Sequence, residues 1–200
     1  MSGTLPTVQY PSSATLTSVQ PSRMSVSHSL KRQVRTSNVQ RWALAMSFPP
    51  MVRSIYMQFY AFLIKQRGQF DTFTCTLPGY EKPQGTWAGT PVVNGGGQTG
   101  RAINLSGFSA SQPYVVKAGD IFKFAGHSKV YMATADASSD GAGLATVSLE
   151  PALMASPAAD EALVASEVPF TVALTSDTQD LPIASGLQPT ALSISMVEVF

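Results

Sequence analysis

Two histidines, one cysteine and a few paired acids are the side chains from which this chain could build a reactive site. A protein-held metal needs three or four ligands, and neither His28 nor His127 has a Cys, Asp or Glu at ligand spacing. His28 continues an alternating apolar face (Met24, Val26, His28, Leu30), which makes it a core or interface histidine, and His127 falls in a turn. Cys75 alternates with Phe73 and Leu77, so it reads as a small buried hydrophobe rather than a nucleophile. A single cysteine also excludes an internal disulfide and any multi-cysteine zinc site. No G-x-S-x-G elbow is present, and every serine lies in a strand pattern or a polar loop. The residues point to no catalytic set, no metal and no cofactor.

Gly95, Gly97 and Gly100 spell G-x-G-x-x-G, with Asp120 twenty residues further on. A dinucleotide site needs a helix straight after the glycines to hold the pyrophosphate. Here Ile103 and Leu105 alternate with Ala102 and Asn104, a strand pattern, and Arg101-Ala102 stands where a P-loop requires Lys-Ser/Thr. The glycines therefore predict a flexible loop. Asp136 with Asp140, and Asp160 with Glu161, lie in Gly-, Ser- and Ala-rich connections and read as solvated loop charges. Lys31, Arg32, Arg35 and Arg41 form the densest basic cluster. Only Trp42 is near enough for base stacking, so a basic hairpin tip meeting an acidic neighbour competes with a nucleic-acid groove.

These residues need elements to position them. Residues 1–22 are Ser, Thr, Pro and Gln-rich, carry no charge and show no clean period, which predicts an extended arm ordered only when something binds it. Met24–Leu30 and Trp42–Phe48 each alternate with period two, with Thr36-Ser37-Asn38 as the turn of a long hairpin. After Pro49-Pro50, apolar residues at Val52, Ile55, Phe59 and Phe62 predict one helix over 51–66, closed by Gly68 in a left-handed conformation. Phe73–Leu77 is a third strand. Residues 79–114 hold only short candidates near 90–93 and 102–105. The turn Lys117-Ala118-Gly119-Asp120 then leads into strands at 121–124, 129–133 and 146–149, and 170–174 and 192–196 follow. Many short strands so spaced indicate a small barrel or sandwich.

A chain of 200 residues can bury roughly two-thirds of its unfolded surface or more, so it needs no covalent staple. Charged residues are only 12%, about half the usual share, which fits a surface largely covered by neighbouring chains. No apolar run reaches membrane-span length and no export signal opens the chain, so neither a membrane nor an exported protein is expected. Net charge is +1, but residues 1–101 balance at +8 and 102–200 at −7. Sign-separated halves either meet head to tail in a ring or cancel within the fold.

The order of these elements carries a resemblance. Lys117–Lys123, His127–Tyr131 and Val147–Leu153 are similar to the matching stretch of phage distal tail proteins, most specifically over Gly119–Tyr131. The resemblance extends over about residues 22–200 through the succession of hairpin, helix, strand, β-rich insertion and two returning strands. It implies a mostly β protein. An arm (1–22) would precede a ring-forming β-sandwich core (23–84 and 168–200) with one flanking helix, akin to the tail-tube fold. An OB-like β-barrel would be inserted at 85–167. It further implies a homohexamer at the distal end of a tail, in contact with the tail tube protein, the hub or tip protein and tail fibres. The tape-measure protein would pass through its lumen, without sequence-specific nucleic-acid recognition. Its place would be the virion, after assembly in the host bacterial cytoplasm.

From charge opposition, Lys31, Arg32, Arg35 and Arg41 are expected to face Asp177 and Asp180 of a neighbouring subunit. Two other readings stand beside the distal ring. One is a glycan-binding module using Trp87, Phe108 and Tyr114 of the insertion, since OB-like barrels commonly bind oligosaccharides. The other is a tube-initiator ring of a simple contractile baseplate.

Overall fold

The computed structural model describes residues 2–182 and 191–200. In chain order the elements are β1 (Ser13–Val19), β2 (Ser22–Val26), β3 (Arg32–Thr36), β4 (Arg41–Phe48), α1 (Arg53–Lys65), β5 (Phe73–Thr76) and β6 (Gly89–Val93). They continue with β7 (Ala102–Phe108), β8 (Ile121–Phe124), β9 (Val130–Ala133), β10 (Ala145–Glu150), β11 (Leu163–Val164), β12 (Pro169–Leu174) and β13 (Leu192–Glu198). The protein is mostly β with one helix, as expected. It divides into two compact units, one of residues 1–17, 42–82 and 167–200, the other of 18–41 and 83–166.

In the first unit a sheet runs β1-β4-β13-β12-β5. β4 buries Trp42, Leu44, Met46 and Phe48 and leaves the intervening residues more open, because successive side chains of a strand point to opposite faces. Its antiparallel register with β13 sets Leu192, Ile194 and Met196 opposite Phe48, Met46 and Leu44, so two apolar stripes lie side by side. Helix α1 packs on the sheet through Phe59 against Phe48, 4.7 Å between rings, and Phe62 edge-on against Phe73 at 5.2 Å. Phe48, Phe59 and Phe73, fully buried, each stabilise the unit by about 1.5–3 kcal/mol, and Phe62 is partly buried. Where two facing sheets of a sandwich were expected, the described residues give this unit one sheet with the helix on it.

The helix ends one residue earlier than its cap glycine suggests. Arg67 (φ +55°) is the first left-handed residue and Gly68 (φ +67°) the second. Arg67 is held there by its Nε bond to Asp71 at 2.8 Å and by its guanidinium lying 4.5 Å over the Phe70 ring. That hydrogen bond lowers the Asp71 pKa.

The polar N-terminal segment is not a loose arm. Residues 2–5 run along the β5 edge, with Ser2 N and Leu5 N donating to Thr72 O and Thr74 O and Thr74 N donating back to Gly3 O. Residues 13–19 then form the strand beside β4 at the other edge of the sheet. Between them the Tyr10 hydroxyl donates to Glu81. The segment's partner is its own sheet edge, and backbone pairing of this kind leaves no hydrophobic period to read.

The hairpin is also placed differently. β2 pairs with β3 around a turn at 27–30, not with β4 around Thr36-Ser37-Asn38, which instead forms a bend where Thr36 Oγ1 accepts from Asn38 N. Met24, Val26 and Leu30 alternate as read but are exposed, Leu30 to 84%.

In the second unit six antiparallel strands run β11-β8-β9-β10-β7-β6 and nearly close on themselves. Closure comes from a bridge between Val92 and Ala162, with Val93 N donating to Glu161 O and Asp160 N to Val93 O. β7 continues through Gly107 (φ +84°), beside a register irregularity opposite Gly89. A Cβ at Gly107 would sit 2.4 Å from Thr90 O, so only glycine fits there. The interior holds Val93, Ile103, Leu105, Phe124, Tyr131, Val147 and Leu149 around Phe122, whose ring lies 5.6 Å from Trp87 and 6.2 Å from Tyr131.

One polar group is buried at the end of this core. The Asp120 carboxylate, 2% exposed, accepts from Gln84 N (2.6 Å), Gly85 N (3.0 Å), Trp87 Nε1 (3.0 Å) and Lys117 N (2.9 Å). The tight turn read at 117–120 is present, with Gly119 at φ +95°.

Two outcomes follow from these cores. Replacing Asp120 by Asn puts an NH2 against at least one of four N–H donors, so D120N is expected to lower stability by about 3 kcal/mol, read as a fall in the urea midpoint. Burial pushes the Cys75 thiol up to about 12, so the thiolate is scarce in the folded protein. Ellman's reagent at pH 8 is expected to label Cys75 only after denaturant is added.

Candidate functional site

The sequence singled out a basic hairpin, and the β2–β3 ribbon carries most of it. Lys31 lies beside the turn, and Arg32 and Arg35 lie on β3, all exposed. Register places Arg23 directly opposite Arg35, and Met24 opposite Val34. Because facing residues share a face, Arg23 and Arg35 lie with Ser25 and Gln33 on one side. Met24, Val34 and Val26 lie with Arg32 on the other. Arg23 was missed because the turn was set at 36–38; a turn at 27–30 puts it opposite Arg35 at once. Arg41 lies past the bend, at the start of β4, and so is not on the ribbon.

A two-stranded ribbon is marginal in water, and like charges directly opposite one another weaken it further. Its base is therefore informative. Lys129, only 3% exposed, donates from Nζ to Gln40 O (3.0 Å) and Gln40 Oε1 (2.8 Å), while Gln40 Nε2 donates to Ser18 Oγ (3.1 Å). Both strands leading to and from the ribbon are thus tied at one point within the second unit. A buried ammonium demands such acceptors, and supplying them fixes the ribbon's root while its tip stays exposed.

Asp177 and Asp180 belong to the first unit. Asp177 Oδ1 already accepts from Gln69 N at 3.0 Å, so one of its oxygens is used within the chain. Asp180 is exposed and lies close to Tyr56, whose pKa is raised by burial first and then by Tyr60 and Asp180.

Of the paired loop acids, Asp136, Asp140 and Glu161 are bonded within the fold, while Asp160 is exposed as a solvated loop charge would be. Glu161 accepts from Gly126 N (2.7 Å) and Ala158 N (2.9 Å) and sits 3.8 Å from His127 Nε2. Asp136 accepts from Ala118 N, and Asp140 Oδ1 accepts from Ala142 N and Leu144 N. Each holds a turn in shape. The fold brings His127 and Glu161 together across thirty-four residues, which spacing along the chain does not reveal. Among the described residues, no group of three or more His, Cys, Asp or Glu is arranged to hold a metal ion.

The Gly-rich loop is likewise held rather than flexible. Gln98 donates through Nε2 to Asn94 O, Gly95 O and Asn104 O, and its Oε1 accepts from Asn104 N at 2.7 Å. Of the three aromatics proposed for sugar contact, two belong to the barrel core. Phe108 is buried, and half-buried Trp87 packs 6.1 Å from it with Nε1 committed to Asp120. Only Tyr114 is exposed, at 53%, with the Lys117 ammonium 5.7 Å from its ring.

No helix of the described residues is long and apolar enough to cross a membrane. Residues 80–168 match the family model described as the distal tail protein pb9, B domain. The match takes in the barrel from β6 to β11 and amounts to under half of the chain. No curated protein matches the chain. The family match supports the resemblance to phage distal tail proteins and agrees with a structural role in a viral tail.

Proposed function

We propose that this chain is a structural subunit of a phage tail, six copies of which form a ring at the distal end. The match of the barrel to a distal tail protein domain carries this reading. The ring joins the tail tube to the hub, baseplate and fibres. Its lumen passes the tape-measure protein and then DNA without reading sequence, and its work is mechanical, with no catalytic step. The protein resides in the virion and assembles in the host bacterial cytoplasm.

Two surfaces support an assembled state. β1 is an edge strand of sequence SATLTSV, seven residues with neither charge nor proline to block pairing. Free edges of that kind are normally blunted or paired, and a neighbouring subunit's sheet would pair this one. The β2–β3 ribbon exposes Met24, Val26 and Val34 beside arginines. An acidic, partly apolar neighbour would cover the apolar face and pair with Arg32, which lies on it, while an acidic group on the other face would relieve the Arg23–Arg35 repulsion. Asp180 and the remaining oxygen of Asp177 are the acceptors we assign to it. Low overall charge fits large permanent interfaces, which are poorer in charged groups than free surface.

Light scattering on the purified chain reads this directly. The expected mass is about six times 21.2 kDa, and the double variant R32E/R35E should weaken assembly at least tenfold. A wild-type chain that is monomeric at every concentration contradicts the ring, and unchanged assembly in the variant contradicts the charge pairing.

A further inference from the structure

We infer that the outer face of the barrel carries a binding groove for a neutral oligosaccharide, which keeps only Tyr114 of the aromatic set read in the sequence. The groove has a volume of about 280 Å³ over β7 and β10 and is lined by Asn94, Asn104, Ser138, Asp140, Leu144 and Thr146. Besides the apolar Leu105, Leu144 and Ala145, it presents neutral amides and hydroxyls, one carboxylate and no Lys, Arg or His. That set suits neither a phosphate nor another anion. It offers alternating donors and acceptors to a ligand rich in uncharged hydroxyls.

The groove is built in advance of any ligand. Thr146 Oγ1 donates to Asn104 Oδ1 at 2.7 Å, which fixes the Asn104 amide and leaves its Nδ2 donors for a ligand. Gln98 ties down the wall that carries Asn94 and Asn104 through bonds to Asn94 O, Asn104 O and Asn104 N. On the opposite wall Asp140 Oδ1 accepts from Ala142 N (2.8 Å) and Leu144 N (2.9 Å), so Oδ2 is the oxygen left to accept a sugar hydroxyl. Buried Ser139 donates to Ser109 O and accepts from Gln112 N, anchoring the same loop. A fixed wall lowers the ordering cost of binding, which matters most for weak, hydrated ligands such as sugars. Tyr114, the one exposed aromatic of those singled out, adjoins the groove because its backbone N–H donates to Ser138 Oγ at 3.1 Å. Its ring, which lies outside the groove's own lining and has the Lys117 ammonium 5.7 Å away, would offer a flat apolar surface to the C–H face of a pyranose extending from the groove.

The test is an array of neutral bacterial-surface oligosaccharides, O-antigen and capsule repeat units, probed with the labelled full chain. The comparison is with N104A, T146V and Y114N, all exposed positions, the last keeping a residue that tolerates the left-handed backbone at 114. Thermal melts confirm that each variant is folded. The expected result is retention on at least one neutral glycan, weakened tenfold or more in N104A and T146V and reduced in Y114N. No retention on any neutral glycan overturns the proposal. So does retention that the folded variants leave unchanged, or retention confined to acidic glycans and abolished by salt, which would point to the basic ribbon instead. The array reads binding by single chains, so its outcome is independent of whether the ring forms.

Discussion

The buried Asp120 carboxylate is the interaction on which the barrel depends. Four N–H groups from two segments, the Gln84 and Gly85 amides and the Trp87 indole of one and the Lys117 amide of the other, converge on two oxygens. A carboxylate taken out of water is tolerated only with such complete compensation, and its charge makes each bond roughly twice as strong as a neutral one. The same residue's backbone continues the arrangement, since Ala133 N donates to Asp120 O and Gly119 N to Ala133 O. Gly85 is part of the design because a Cβ there would lie 2.6 Å from Val115 O and 2.8 Å from Asp120 Oδ2. Once the indole is committed to this acceptor, Trp87 must pack against Phe108 and Phe122 rather than face solvent.

Closure and openness divide the chain. The barrel's six strands nearly close on themselves through the bridge between Val92 and Ala162. The other sheet does not: residues 2–5 cover part of the β5 edge, while β1 remains an edge strand with mostly exposed residues. The β2–β3 ribbon is exposed along its length although its root is fixed by Lys129 and Gln40. In the proposed function, ring assembly covers the edge and the faces that the described residues leave exposed, whereas the barrel's strands pair with one another.

Much of this was legible in the residues. Alternation over Trp42–Phe48, the short apolar strand Ile121–Phe124 after a turn, the 3–4 spacing of α1 and the Gly119 turn are local signals, and the structure follows them. The N-terminal segment was not legible because its order comes from backbone bonds to a sheet edge, which leave no side-chain period. The hairpin register failed for a related reason: Met24, Val26 and Leu30 alternate without being buried, so apolar alternation alone set the wrong partner strand. The roles of Asp120, Glu161 and Gln98 rest on backbone donors brought together by the fold. Their neighbours in sequence suggested only a turn, a solvated acid and a flexible loop. The groove over β7 and β10 was invisible for the same reason, since Asn104 and Thr146 become neighbours only through strand register.

The proposed function stands or falls on the ring. Electron microscopy of the purified full chain tests it most directly. Class averages with six-fold symmetry around an open central channel are the predicted result, and a field of uniform single-chain particles at the highest attainable concentration would contradict it.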